Sequence, residues 1–263
     1  MKPAPLHYVR AETVEEALDA LSRDEAKVLA GGQSLVPALN MRLVRPATLV
    51  DINRVRGLDN VARENGSLVV GATVRQADTR LLEHPLLREA LPHVGHFVTR
   101  NRGTVCGSVA HADAAAELPL CLLLLGGAVR VRSARAEREI AARDFFVTHF
   151  TTALEHGELV VETVWPAPQE GWGYAFCELA QRHGDYALCM AGAAARADEL
   201  RVVVGSVTDR PTLLEVEPDR PGESAAAQVE PWGNLHAPAE YLRHLARVLV
   251  DRAVTQARER ANA

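Results

Sequence analysis

The 263-residue chain has few cysteines, and none of them are paired in spacing. Cys106, Cys121, Cys177 and Cys189 lie far apart, with no Cys-x-x-Cys among them. This excludes an iron–sulfur cluster or structural zinc site held by this chain alone. Scattered thiols fit a reducing compartment. A basic surplus is also missing. The net charge is −5 at pH 7, which argues against a nucleic-acid binder. The most apolar run, Leu118 to Val131, contains Pro119, Gly126 and Gly127 and is too short to span a bilayer. Met1 to His7 has no apolar signal-peptide core. The expectation is a soluble cytoplasmic protein. Three motifs are absent as well: G-x-G-x-x-G, a P-loop Gly-Lys-Ser/Thr, and the G-x-S-x-G elbow. Their absence disfavours a nicotinamide Rossmann domain, a P-loop NTPase and a self-sufficient serine hydrolase. There is no internal repeat.

Hydrophobic residues make up 48% of the chain, enough for the core of one large or two modest domains. Thr13-Val14-Glu15-Glu16 has capping-box spacing, and Val14, Ala17, Leu18 and Leu21 follow at helical intervals. This predicts a helix over 13–22. Short strands are expected over 27–30, 48–52 and 68–70, and a short helix over 35–41. Thr73-Val74-Arg75-Gln76 repeats the capping-box spacing and predicts a helix to about Leu82, with a second helical stretch over 86–94. A buried helix over 114–125 precedes strands over 128–132 and 158–165. Pro166 to Gly171 reads as a linker. Beyond it, strands over 174–179, 187–195 and 200–207 suggest a small antiparallel sheet. An irregular loop is expected over 218–232 and a long helix over 238–258.

Two glycine-bearing segments carry the functional signal. The first is Val28-Leu29-Ala30-Gly31-Gly32-Gln33-Ser34-Leu35 and the second is Arg100-Asn101-Arg102-Gly103-Thr104-Val105-Cys106-Gly107-Ser108. Each could present a row of backbone N–H groups where a side chain would obstruct a ligand. The first also lies between a strand and a helix N-terminus, which favours anions. Two such segments suit an extended ligand with a central diphosphate, a flavin or nicotinamide dinucleotide. The alternative for the first segment is an ordinary turn. The second carries Arg100 and Arg102, and no acid occurs from Ala90 to Ala112. That suits an anion, or else a solvated basic turn.

Asp113 and Glu117 follow the second segment. Carboxylates at such a place accept hydrogen bonds from ribose or ribityl hydroxyls; they also serve simply as acids at a helix start. His93-x-x-His96 and His111-x-Asp113 have spacings a metal could use, but no third ligand is evident. No metal site and no catalytic triad is expected.

Further residues resemble a known family. Ala30 to Leu35, then Arg45-Pro46 and Leu49-Val50-Asp51-Ile52-Asn53, resemble the first flavin-binding segment of the FAD-binding medium subunit of molybdenum hydroxylases. That family includes aerobic carbon monoxide dehydrogenase, nicotine and quinoline dehydrogenases, and the middle domain of xanthine dehydrogenase. Arg100 to Asp113 resembles its second segment. Gly184-Asp185-Tyr186-Ala187 and Ala239 to Leu245 resemble its C-terminal domain.

The resemblance implies an α+β fold: a two-part FAD-binding domain of the PCMH/vanillyl-alcohol-oxidase type over 1–168, and a smaller sheet-and-helix domain over 169–263. It implies that Val28, Leu29, Ala30, Gly31, Gly32, Gln33, Ser34 and Leu35 wrap the FAD diphosphate. Thr104, Val105, Cys106, Gly107 and Ser108 would form the second wall. Asp113 and Glu117 would bind flavin hydroxyls, Val94 and Val160 would touch the cofactor, and Tyr186 would lie near the isoalloxazine. Cys106-Gly107 replaces the Gly-Gly of many members, and a lysine common near the flavin is replaced around Cys177 and Glu178. The stretch from Pro211 to His236 is short for the family.

The implied partners are a small subunit with two [2Fe–2S] clusters and a large subunit with the molybdenum cofactor. Electrons would pass from molybdenum through the clusters to FAD and on to an external acceptor. The alternatives are a stand-alone FAD-dependent oxidase, or a scaffold subunit that has lost FAD.

Overall fold

Thr13 caps the first helix, its hydroxyl accepting from Glu16 N at 3.2 Å while the Glu16 carboxylate accepts from Glu12 N at 2.8 Å. These two bonds fix where the chain turns from β1 (His7–Arg10) into α1 (Val14–Leu21). The computed structural model describes residues 2–262. β2 (Ala26–Leu29), α2 (Leu35–Asn40) and β3 (Thr48–Asp51) follow, and β1, β3 and β2 form a parallel sheet in that order. Parallel neighbours need a crossover, and the two helices supply it. Ala17, Leu18, Ala20 and Leu21 of α1 are buried.

β4 (Val61–Glu64) and β5 (Ser67–Gly71) then open a second sheet. The chain continues through α3 (Pro85–Ala90), α4 (Phe97–Arg100), α5 (Val105–His111) and α6 (Glu117–Leu125). It returns as β6 (Ala128–Arg132) and β7 (Glu137–Ala141), α7 (Ala142–Phe145), the hairpin β8 (Phe146–Thr148) and β9 (Thr151–Thr152), and β10 (Leu159–Trp165). The sheet is antiparallel in the order β4-β5-β10-β6-β7. Residues 166–172 then lead without regular structure into β11 (Gly173–Ala180). With β12 (Ala187–Arg196), β13 (Glu199–Gly205) and β14 (Thr212–Leu214), β11 builds an antiparallel sheet in sequence order. α8 (Pro221–Gln228) and α9 (Ala239–Ala261) complete the chain. Leu242, Leu245, Leu249, Val250 and Val254 of α9 are buried in one cluster with Ala191, Ala193 and Ala195 of β12. No helix among the described residues is long and apolar enough to cross a membrane.

α6 ties the molecule together. It is apolar around its whole circumference, as a helix packed on all sides must be. Leu120 and Leu124 reach Gly192 of β12 so closely that a β-carbon there would lie 2.8 and 2.9 Å from their methyls. The resulting core runs from Ala17 and Val50 through α6 to Tyr174, Phe176 and Met190.

Three expectations are corrected. Residues 73–78 are not helical. Gln76 N donates to Gly103 O at 2.9 Å and Val105 N to Val74 O at 3.1 Å, so this backbone pairs with the second glycine segment. A 3₁₀ turn, Thr79–Glu83, starts only after Asp78 caps it. Residues 218–232 are not all irregular, since α8 forms there with Pro221 in its first turn. Gly222 N donates to Asp251 Oδ1 at 2.7 Å, and Ala225 is fully buried. Finally, the helix expected over 114–125 begins at Glu117, and α5 precedes it.

Candidate functional site

The first glycine segment leaves the end of β2 and enters α2. Gly32 has φ +72°, a conformation that L side chains rarely adopt. Among the described residues, the N–H groups of Gly32, Gln33, Ser34 and Leu35 meet no backbone acceptor. Ser34 stands at the N-cap but makes no side-chain cap bond. Four successive open donors lie at the mouth of a strand–turn–helix, an arrangement that suits an anion. Val28, Leu29 and Ala30 lead into this turn and are half-buried.

The second segment is built differently. Thr104 caps α5, its hydroxyl accepting from Gly107 N at 3.0 Å. Gly103 N donates to Thr99 O at 2.7 Å, and Ser108 N to Thr104 O at 3.1 Å. The row of open N–H groups expected here is therefore largely closed within the protein. Arg100 is also committed, its Nη1 donating to the carbonyls of Val94 and Gly95 at 3.0 and 2.9 Å. This segment is a wall rather than an anion nest.

Cys106 turns inward from that wall. Its Sγ lies 3.3 Å from Val70 O and 3.5 Å from Thr163 Oγ1. Burial pushes the thiol up to about 12, so it stays protonated and unreactive. Val105 is buried beside it. The two segments touch. A β-carbon on Gly31 would lie 2.4 Å from Arg102 O and 2.7 Å from Gly103 Cα, and one on Gly107 would lie 3.9 Å from Ala30 Cβ.

Two acids and one phenol complete the set of predicted site residues. Asp113 is buried, with Oδ1 accepting from Ala115 N at 2.9 Å. Glu117 opens α6 and is 7% exposed. Burial, then the nearby Glu178 carboxyl, pushes its carboxyl up to about 8. Tyr186 is 66% exposed in the β11–β12 turn. Desolvation there, then the charge of Asp113, raises the phenol above its ordinary value. Gly184 in the same turn seats on the His96 imidazole. Val94 and Val160 are both buried in the main core.

Glu178 was singled out in the sequence only as a substitution, yet its side chain is 3% exposed and its Oε2 has no hydrogen-bond partner. Burial pushes it up to about 7. His93 Nδ1 lies 3.8 Å from its Oε1. Among the described residues, no three His, Cys, Asp or Glu side chains converge as a metal set.

A row of open N–H groups, a close glycine contact with a second segment and two buried acids make up the candidate site in a mixed α/β fold. The comparisons with known proteins say which family carries it. The profile described as the FAD binding domain in molybdopterin dehydrogenase matches residues 4–168. The chain is 39% identical to the 6-hydroxypseudooxynicotine dehydrogenase complex subunit alpha of Paenarthrobacter nicotinovorans, covering 99% of this chain and 97% of that one. It is 35% identical to the nicotine 6-hydroxylase medium subunit of the same organism, covering 98% and 99%. Its fold superposes on quinoline 2-oxidoreductase from Pseudomonas putida 86 with a TM-score of 0.93 at 33% identity, each chain covered in full. The chain belongs to the family of FAD-binding domains of molybdopterin dehydrogenases. It is a component of an oxidoreductase, and its cofactor is FAD.

Proposed function

We propose that this chain is the FAD-carrying electron-transfer subunit of a three-subunit molybdenum hydroxylase, working with a small [2Fe–2S] subunit and a large molybdenum-cofactor subunit. The observation that carries this is the open N–H row of Gly32 to Leu35, held against the Arg102–Gly103 backbone in a chain of this family. Bound FAD supplies a two-electron carrier between one-electron clusters and an external acceptor. The chain's own residues bind and orient it. Val28 to Leu35 wrap the diphosphate, with Gly31 and Gly32 keeping the approach clear. Thr104, Val105, Cys106, Gly107 and Ser108 form the opposite wall, in which Cys106 contributes backbone and not its thiol. Asp113 and Glu117 accept from the hydroxyl-bearing chain. Tyr186 covers the ring end, and Val94 and Val160 back the site from the core.

The domain reading follows the same lines. Residues 1–168 act as an FAD-binding unit whose parallel and antiparallel sheets are the two parts of a PCMH-type fold, and residues 169–263 form the smaller unit. The chain works in the cytoplasm.

Co-expression with the two partner subunits tests the assignment. A stable complex is expected, in which substrate bleaches both cluster and flavin absorbance, while the chain alone dehydrogenates nothing. Rapid flavin reduction in the isolated chain by an aldehyde, a heterocycle or carbon monoxide would contradict it and favour a stand-alone oxidase.

A further inference from the structure

One polar chain of side chains crosses the junction between the two glycine segments. Asn53 follows β3. Its Nδ2 donates to Ala30 O at 2.7 Å and to Asp51 Oδ1 at 2.6 Å. Its Oδ1 accepts from Arg75 Nη2 at 2.6 Å. Arg75 Nη1 in turn donates to Arg102 O at 2.6 Å. Arg102 O is the atom that lies 2.4 Å from where a β-carbon of Gly31 would stand. The order of contacts is therefore Ala30, Asn53, Arg75, Arg102, and back across the gap to Gly31.

The chemistry leaves little freedom in this arrangement. Arg75 is a donor only, so the Asn53 amide must turn its oxygen to Arg75 and its nitrogen to Ala30. Asp51 holds the amide from behind. Its Oδ1 accepts from Asn53 N at 2.8 Å, and its Oδ2 accepts from the Tyr8 hydroxyl. Burial alone would raise the Asp51 carboxyl, but hydrogen bonds from Tyr8 and Asn53 bring it below its ordinary value. A charged acceptor strengthens both bonds. A planar guanidinium spans two acceptors at a fixed angle, which a lysine ammonium on a flexible stem does not reproduce.

We infer that Asn53 and Arg75 form a strut that sets the distance between the two glycine segments and thereby the affinity of the site for the FAD diphosphate. The inference rests on the FAD-cradle reading above. Both are positioning residues, since each acts through the backbone of Ala30 or Arg102. The strut also explains why residues 73–78 forgo a helix: Arg75 must face Arg102, and the bridge between Arg75 and Thr104 holds it there.

The test is titration of FAD into the full-length apoprotein, followed by flavin fluorescence, for wild type, Asn53→Ala, Arg75→Met, Arg75→Lys and the Asn53→Ala/Arg75→Met double variant. Arg63→Met, at an exposed pair with Glu83, is the control. Saturable binding is expected for wild type and the control, and dissociation constants raised by roughly tenfold or more for each strut variant. The double variant should bind no worse than the weaker single, because both substitutions break one strut. Apoprotein thermal midpoints shifted equally in two variants, with FAD affinity lost in only the strut variant, would separate positioning from general destabilisation. If Arg75→Met does not fold, Arg75→Lys keeps the charge and decides alone. Strut variants that bind within about twofold of a wild type that does take up FAD, or losses that simply add, would overturn the strut. A wild type that takes up no FAD would overturn the cradle itself, and the strut with it.

Discussion

Gly31 and the Arg102 carbonyl stand so close that a β-carbon on Gly31 would lie 2.4 Å from the oxygen, with Gly103 Cα at 2.7 Å. Both obstructing atoms are backbone, so no rotamer change relieves the clash. Gly31→Ala must push the two segments apart. It is expected to lower FAD affinity by at least about tenfold while costing roughly 1–3 kcal/mol of stability, the usual range for overpacking. Gly57→Ala is the matched control. Gly57 has φ +84° and nothing within 4 Å of its would-be β-carbon. Strain there should lower stability by about 1 kcal/mol and leave FAD affinity unchanged. Equal FAD affinity in wild type and Gly31→Ala would show that the junction does not shape the site.

The thiols should be silent in the native protein. All four cysteines are buried, and burial pushes Cys106 and Cys189 up to about 12. A chromogenic disulfide reagent at pH 7 is expected to find no fast-reacting thiol until denaturant is added. Cys106→Ala should keep its FAD, because the thiol points at Val70 and Thr163. Loss of flavin in that variant would place the sulfur in the site after all.

Glu117 makes stability fall as pH rises. Its folded value of about 8 stands above the ordinary 4.5, so between those values the folded chain holds a proton that the unfolded chain releases. The slope is negative across that window, and the loss is complete above about pH 8. Glu117→Gln should make the fall in denaturant midpoint between pH 5 and 8 shallower, Glu178 supplying what remains below about pH 7, and recover on the order of a few kcal/mol at the upper end. A wild-type profile that is flat over that range would contradict the buried, proton-bearing carboxyl.

His84 acts in the opposite direction. It is 3% exposed, caps α3 by accepting from Leu86 N at 3.2 Å through Nδ1, and burial lowers it to about 4. The unfolded chain takes up a proton near 6.5 while the folded chain refuses it, so stability falls as pH drops from 6.5 towards 4. His84→Asn keeps a capping acceptor without the titration. Its acid limb should be shallower than that of wild type in urea melts; an unchanged limb would assign the acid loss to other groups.

Much of the fold was legible where local signals agreed with packing. Thr13 caps α1 as its spacing predicts, with Glu16 reaching one residue further back to Glu12 N, and the small sheet over 173–205 follows the expected strands. Thr73 to Gln76 has the same spacing, but pairing with Gly103 and Val105 won over the local preference. α8 was missed because Pro221 and Gly222 read as loop residues, whereas Gly222 is held by Asp251 across the sheet-covering helix. The open N–H row of the first glycine segment was readable. The closure of the second was not, because Thr104 closes it through a cap and Arg100 through carbonyls ahead of it in sequence. Asn53 and Arg75 meet across 22 residues, and no spacing rule within one element reports such a contact.

The most direct measurement is the identity of the cofactor released when the purified chain is denatured. Chromatography of the supernatant should give FAD and no FMN, near one per chain. A colourless chain that takes up no added FAD, with its thermal midpoint unmoved by the dinucleotide, would contradict the account at its centre.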